Sequence, residues 1–473
     1  MKPFHSAFGK ALVLLLVAMT SAVFAQTDLP ADRPGIPSAD EVREIVAPAL
    51  DGKWATGLVI GVYQDGETRV YAFGSLAEDA DPARLVFEIG SVTKVFTGLL
   101  LADAVVLGKL RLEDPLSDHV AFKVPSFEGQ PVRLVHLATH TSALPAVPDD
   151  FLTRKHDPTN PYGSYSFDEM VAFVEAYKLP RAPGTQFEYS NIGMGLVGHV
   201  LETKVYETDL DTAFAARICV PLEMNDTRIV LTEPLRKRLV QGHTATLEPT
   251  GTWDIPAMPG CGALKSTVAD MLRFIRAELD PGGTHLEEAI RLSQQEHFQG
   301  PGGGNGLGWL IGKKGDMTIL NHAGQTGGYT SFLGIVPERK AGVIVLADAA
   351  GCVAIGVGTE VFRRLVTGTR APSCLPVPVV LAEAELDRFT GAYAFPGGTS
   401  LRILREGSRL LLETAEGTRV AIEPCSPARF FVRESPILPL FFEFRLGEDG
   451  RVKELVAESD GESSPEVGQR SGD

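Results

Sequence analysis

The sequence predicts an α/β (α+β) domain, with one sheet built from both ends of a helical insertion, followed by a small antiparallel β-barrel-like domain. Three observations carry this. Strand-like runs at Gly57–Tyr63 and Thr68–Gly74 return only at Thr318–Asn321, Thr330–Val336 and Gly342–Ala347, with helical spacing between. Leu365–Val380 is Pro-rich and punctuated, as a linker is. Beyond it, short β runs alternate with Gly, Asp and Pro turns.

Each element has a local reason. Met1–Ala25 has Lys2 and Lys10 ahead of the apolar run Ala11–Met19, with Val23-Phe24-Ala25 forming a cleavage-type end. It reads as a secretory leader, too short to span a bilayer, and implies an exported protein, periplasmic or secreted. Asp40–Leu50 has helical spacing with Ser38 placed to cap it. Asp65-Gly66 between two apolar runs is a hairpin signal. Val95–Leu107 is strongly apolar, which predicts a buried helix; further helices fall at Phe167–Tyr177, Gly193–Lys204 and Val268–Leu279. In the last domain the β runs are Ser400–Leu404, Leu410–Glu413, Arg419–Ile422, Phe430–Val432 and Phe441–Leu446. The expected boundaries are 26–365 for the α/β domain, 366–383 for the linker, 384–458 for the β domain and 459–473 for a polar, disordered tail. Residues up to Leu365 are expected to fold without the β domain.

Composition narrows the function classes. The chain has 473 residues, 44 Lys+Arg against 60 Asp+Glu, and a formal net charge of −16. Such an acidic chain with no basic run lacks the footprint that nucleic-acid binding requires. No stretch after the leader is long and apolar enough to span a membrane. The five cysteines are sparse and without a CxxC pair, so they form no zinc ribbon or disulfide scaffold; one or two disulfides stay open.

Three motifs can carry chemistry. In Gly90-Ser91-Val92-Thr93-Lys94, Ser at a helix start with Lys three residues on places both side chains on one face. The helix N-terminus offers unpaired N–H groups, and an ammonium in a dry pocket can lose its proton and act as base for the hydroxyl. Tyr189-Ser190-Asn191 supplies a phenol that a neighbouring cation could ionise and an amide that could orient a carbonyl. His322-Ala323-Gly324-Gln325 ends a short strand, where Gly lets a substrate backbone come close.

In this order and spacing the three motifs resemble the penicillin-recognising serine hydrolases: class C β-lactamases, D-alanyl-D-alanine carboxypeptidases and related esterases. The resemblance covers about Val42 to Leu365, with Leu137–Pro145, Pro221–Thr227 and Gly306–Trp309 as further matching segments. It implies a β-lactamase/transpeptidase-like fold, Ser91 as acylated nucleophile, Lys94 as its proton partner, and Tyr189 as general base and leaving-group acid. Asn191 would hold the substrate amide, and His322 and Gly324 would line the strand edge. The backbone N–H groups of Ser91 and Gln325 would form the oxyanion hole. The C-terminal part resembles the lipocalin-like domain appended to some of these hydrolases.

The reaction so implied is hydrolysis of D-alanyl peptides of peptidoglycan through an acyl-enzyme, with no cofactor and no metal. The alternatives are a class C-type β-lactamase or esterase, and a non-catalytic penicillin-binding or regulatory protein. One departure stands out: where β-lactamases of this class carry K-T-G, this chain has His322-Ala323-Gly324. If His322, with an ordinary pKa near 6.5, supplies the charge, carboxylate substrates should gain as pH falls towards 6. The other reading is that it hydrogen-bonds or packs at the strand edge.

Three competing signals are weaker. Gly193–Gly198 matches G-x-G-x-x-G but follows no clear strand, so close helix packing is the better reading. Lys265-Ser266-Thr267 lacks the following Gly of K-T-G and reads as a helix start. His136 and His140 sit four apart without the Glu of H-E-x-x-H, which argues against a metal.

Overall fold

The computed structural model describes residues 34–76, 80–151, 154, 156–415, 417–435, 439–459 and 466–471. The leader expected at Met1–Ala25 lies outside them. Among the described residues no helix is long and apolar enough to cross a membrane.

The chain enters through α1 (Ala39–Asp51), whose Ser38 and Glu41 cap each other's backbone N–H groups. Strands β1 (Gly57–Gln64) and β2 (Glu67–Gly74) form the expected hairpin. Its turn residues Asp65 and Gly66 both have positive φ, +49° and +93°, which the twist of a two-residue hairpin demands. The helical segment follows, including α2 (Thr93–Val106), α3 (Asn191–Val200) and α4 (Val268–Leu279). The sheet then resumes with β3 (Phe298–Gly300), β4 (Gly303–Asn305), β5 (Leu310–Lys314), β6 (Met317–Gln325), β7 (Thr330–Val336) and β8 (Ala341–Ala347), before α5 (Val353–Thr367).

The eight strands form one antiparallel sheet in the order β2-β1-β8-β7-β6-β5-β4-β3. Leu58 pairs with Ala347, so the two ends of the domain meet inside the sheet, one strand in from its β2 edge. Every residue of β1, β7 and β8 is buried, because helices cover both faces. Leu58, Ile60 and Val62 pack with α1 and α5, while Val59 faces the core shared with α2 and α4. Strands β3, β4 and β5, at the far side of the sheet, were not foreseen; for β3 and β4 the reason is that Gln299-Gly300-Pro301-Gly302-Gly303-Gly304 offers no alternating apolar signal.

Three expectations about the C-terminal part change. Helix α5 runs to Thr367 and ends on Gly368 at φ +71°, so the expected linker start falls inside a helix. The β domain is a closed barrel of eight strands, β9 (Gly391–Ala394), β10 (Ser400–Glu406), β11 (Arg409–Thr414), β12 (Arg419–Pro424), β13 (Arg429–Val432), β14 (Leu440–Leu446), β15 (Val452–Ser459) and β16 (Glu466–Ser471). The expected disordered tail from Ser459 therefore carries the closing strand, with Ala392 of β9 opposite Ser471. Its buried inward position is Gly468, lying under the Phe395 ring, so no apolar alternation marks it in the sequence. None of the five cysteines forms a disulfide.

The barrel is packed with side chains: Phe389, Tyr393, Phe430, Phe444 and Leu455 fill its centre. It is also welded to the first domain. Phe431 and Phe441 belong to the same core as the sheet and α5, and the Phe431 ring lies 5.4 Å from that of Trp54. Arg433 donates to the carbonyls of Gly52 and Lys53 at 3.1 and 3.0 Å, pairs with Glu423, and lies 4.6 Å over Trp54. The Trp54 indole N–H donates to Pro376 O at 2.8 Å.

These contacts predict that a chain ending at Val380 is destabilised, since it exposes Trp54 and loses two buried aromatic side chains, each on the order of 3 kcal/mol. Thermal unfolding of that truncation should show a melting temperature well below that of the full chain. Equal values would restore the expectation of an independent first domain.

Candidate active site

The site lies where the start of α2 meets the end of β6. Gly90, at φ +48°, turns the chain into the helix. Ser91 follows, and Lys94 is one turn on with its side chain wholly buried. Lys94 Nζ lies 2.9 Å from Ser91 Oγ, donates to Cys261 O at 2.5 Å, and sits 4.8 Å from the centre of the Tyr189 ring. Burial removes the ammonium from water and brings its pKa down to about 8, with a smaller opposing pull from Cys261.

That pocket is held shut by backbone anchors. Thr93 Oγ1 accepts from Leu264 N at 3.1 Å and Thr97 Oγ1 donates to Gly260 O at 2.7 Å, which fastens the Cys261 segment along α2. On its other side α3 approaches so closely that a Cβ on Gly195 would collide with Met258. The glycines of Gly193–Gly198 thus serve helix packing, as read from the sequence.

The strand edge comes equally close. A Cβ on Gly324 would collide with Ile89 O and stand 2.9 Å from Ser91 N, and one on Gly90 would stand 2.7 Å from Gln325 N. Ser331 Oγ donates to Ile89 O at 2.8 Å and fixes the approach. The N–H groups of Ser91 and Gln325 are therefore neighbours across this seam, as an oxyanion hole needs.

Tyr189 precedes α3, whose N-cap Ser190 accepts from Gly193 N at 2.9 Å and donates to Pro145 O at 2.8 Å. Burial raises the Tyr189 pKa well above its ordinary value, more than its hydrogen bond with Ser91 lowers it. In the free site this direction favours the neutral phenol. Asn191, the first residue of α3, donates from Nδ2 to Tyr162 Oη at 3.3 Å, while its buried Oδ1 has no hydrogen-bond partner. Tyr162 in turn stands 5.2 Å from the Trp253 ring.

His322 is 1% exposed. Its Nδ1 lies 2.7 Å from Ala323 O and so carries the proton, leaving Nε2 buried without a partner. Burial, and then repulsion from Lys94, bring its pKa down to about 3. This direction favours the other reading, a neutral imidazole hydrogen-bonded at the strand edge, over a cation near pH 6. Lys265, the other cation read as a possible substitute, is buried 3.9 Å from Glu88, with Nζ donating to Trp253 O at 3.4 Å.

The structure thus gathers Ser91, Lys94, Tyr189, Gly324 and Gln325 at one seam, with His322 6.3 Å from Tyr189 between ring centres. It separates the two histidines weighed as metal ligands. His136 accepts from Arg133 N at 3.2 Å, whereas His140 turns to Tyr189, with ring centres 4.5 Å apart. His140, Tyr162 and the Cys261 carbonyl were not read as site residues: His140 entered only as half of a possible metal pair, and a backbone oxygen such as that of Cys261 leaves no trace in residue identity. The quoted segment Leu137–Pro145, which contains His140, was the one available signal.

A helix-borne Ser-x-x-Lys, a buried Tyr and a sheet edge thus meet at one seam of an α/β scaffold. The family model described as Beta-lactamase matches residues 42–354, and the chain belongs to the β-lactamase family. A β-lactamase of Escherichia coli (strain K12) is 26% identical over 351 residues, covering 65% of this chain and 88% of that protein. The D-alanyl-D-alanine-carboxypeptidase/endopeptidase AmpH of the same organism is 27% identical over 390 residues, covering 77% and 97%. Penicillin-binding protein 4 of Amycolatopsis lactamdurans is 28% identical over 375 residues, covering 72% and 94%. The octameric penicillin-binding protein homologue from Pyrococcus abyssi shares the fold, with a TM-score of 0.63 at 22% identity over 91% of this chain and all of that one.

The neutral His322 yields a prediction. A matched acid and ester substrate pair should give parallel kcat/KM profiles from about pH 5.5 to 8.5, in contrast to a site with a titrating cation. A selective gain of the acid towards pH 6, abolished in His322→Lys, would show that the imidazole is protonated in use.

Proposed function

We propose that the chain is an exported serine hydrolase that forms an acyl-enzyme on Ser91, with D-alanyl peptides of peptidoglycan as substrate. The observation that carries this reading is the 2.9 Å contact between Ser91 Oγ and a wholly buried Lys94 whose pKa is about 8. Near neutral pH a useful fraction of that amine is unprotonated and can take the Ser91 proton as the oxygen attacks a carbonyl. The N–H groups of Ser91 and Gln325 receive the oxyanion. Tyr189, neutral because buried, gives its proton to the leaving nitrogen, and the Lys94 ammonium beside it returns one to the phenolate. Water then attacks the ester with the same groups, and Ser91 regains its proton. In this reading the base is Lys94 and Tyr189 is the acid, in place of a phenolate base.

The substrate choice draws support from AmpH, which matches over nearly its whole length. The leader read at Met1–Ala25 supports export. A second reading, hydrolysis of uncharged esters, is favoured by one observation: the neutral His322 offers no fixed charge to a substrate carboxylate.

Intact-mass measurement after treatment with a fluorescent penicillin tests the reading. A persistent adduct on Ser91 marks slow deacylation, turnover without an adduct marks a β-lactamase, and neither outcome in a folded protein would sink the assignment. Ser91→Ala should lose labelling and hydrolysis by at least about 10³-fold. For an uncharged ester, kcat/KM should rise with pH, reach half its maximum near pH 8 and level off about one unit above, because only the neutral amine accepts the proton and its share grows through the Lys94 pKa. A profile flat between about pH 6 and 9 would exclude Lys94 as the base.

A further inference from the structure

The Tyr189 ring has a neighbour that the catalytic reading does not use. His140 is 2% exposed, and its ring centre lies 4.5 Å from that of Tyr189 at a tilt of 30°. Ser190 N donates to His140 Nδ1 at 3.1 Å, so Nδ1 is the unprotonated nitrogen and the hydrogen sits on Nε2, which has no partner among the described residues. The imidazole is therefore tied to the peptide immediately after Tyr189 and to the face of its ring at once.

His140 is itself fixed from several sides. Its backbone sits at φ +59°, a left-handed conformation that a side chain adopts only under constraint. Its carbonyl accepts from Glu188 N at 2.7 Å, and its ring meets Phe187 edge-on at 5.8 Å. Thr141 O accepts from Gly184 N at 2.7 Å. Thr139–Thr141 thus docks along Gly184–Ser190, and the imidazole is the one side chain of that segment that reaches the phenol ring in these contacts. Burial opposes a positive charge on His140 most strongly, and Lys94 and His322, the charged and titratable groups around it, oppose it further. A neutral ring with a free lone pair on Nδ1 is what the Ser190 hydrogen bond requires.

We propose that His140 is a positioning residue for Tyr189: it holds the phenol in line to protonate the leaving group. This rests on the proposed acyl-enzyme reading and adds to it a residue that acts only through Tyr189. It follows that losing His140 should matter where the leaving group needs a proton and matter little where it does not.

The test uses the full chain and two esters of N-acetyl-D-alanine that share an acyl group, the methyl ester, whose alkoxide needs protonation, and the p-nitrophenyl ester, whose leaving group departs as an anion. Tyr189→Phe sets the reference pattern. His140→Ala should lose about 10²-fold in kcat on the methyl ester and less than about 10-fold on the p-nitrophenyl ester, echoing Tyr189→Phe. His140→Asn, which keeps an acceptor for Ser190 N, should recover part of the methyl-ester loss, and His140→Phe, which keeps only a ring, should recover less. Equal losses of His140→Ala on both esters, with Tyr189→Phe still discriminating, would overturn the proposal and leave His140 a packing residue. If Tyr189→Phe itself fails to discriminate, the acid role of Tyr189 falls instead, and that outcome is separate. Should His140→Ala not fold, the His140→Asn and His140→Phe pair carries the same comparison.

Discussion

The burial of one ammonium group governs the rest of the site. Lys94 is surrounded by a hydroxyl, a backbone carbonyl and an aromatic face, which solvate a cation less well than water does and compensate less than a carboxylate would. That deficit is what brings its pKa near the working range. It exists only because three separate stretches close around one helix turn: the Pro259–Cys261 segment, pinned by Thr93 and Thr97; α3, brought in by its glycines; and the end of β6. Admitting water to any of these seams would let the amine stay charged. The domain's packing of helices on both faces of the sheet, with β1 and β8 wholly buried, serves to keep that turn dry.

The two histidines near Tyr189 follow from the same constraint. An imidazolium beside the Lys94 ammonium would add a second uncompensated charge to a low-dielectric pocket, so both rings are driven neutral. Once neutral, each presents one donor and one acceptor, and each commits its Nδ1 to a backbone group: His322 gives a proton to Ala323 O, His140 takes one from Ser190 N. The replacement of the Lys of K-T-G by His therefore changes the site from two cations to one.

Much of the catalytic domain was legible in the sequence because its signals are local. The Asp65-Gly66 turn, the Ser38 cap and the strongly apolar Val95–Leu107 run each state their structure within a few residues, and Thr330–Val336 and Val268–Leu279 fall where the periodicity put them. The core site residues were legible as motifs, since Ser91 and Lys94 owe their contact to helix geometry alone. What stayed hidden was made by distant contacts. The ionisation of His322 depends on burial and on Lys94, which its own neighbours in sequence do not show. The edge strands β3 and β4 form on glycine-rich chain that only sheet pairing orders, and β16 turns a polar segment into part of a barrel. The weld of Arg433 and Phe431 to Trp54 links residues nearly 380 positions apart and leaves no pattern in either segment.

The sheet pairing also sets an order of events during synthesis. Strand β1 waits for β8, some 290 residues later, before its second neighbour in the sheet is in place, and β9 finds its second neighbour only in β16. Both units close a circuit between a first and a last strand, so their contact order is high and their folding slow. A ribosome emitting about 5–20 residues per second exposes the apolar strand Gly57–Gln64 for on the order of 15–60 s before its partner appears. A nascent chain of this design is left unfolded for that interval, open equally to a translocation machine, to a holdase or to edge-to-edge association with its copies.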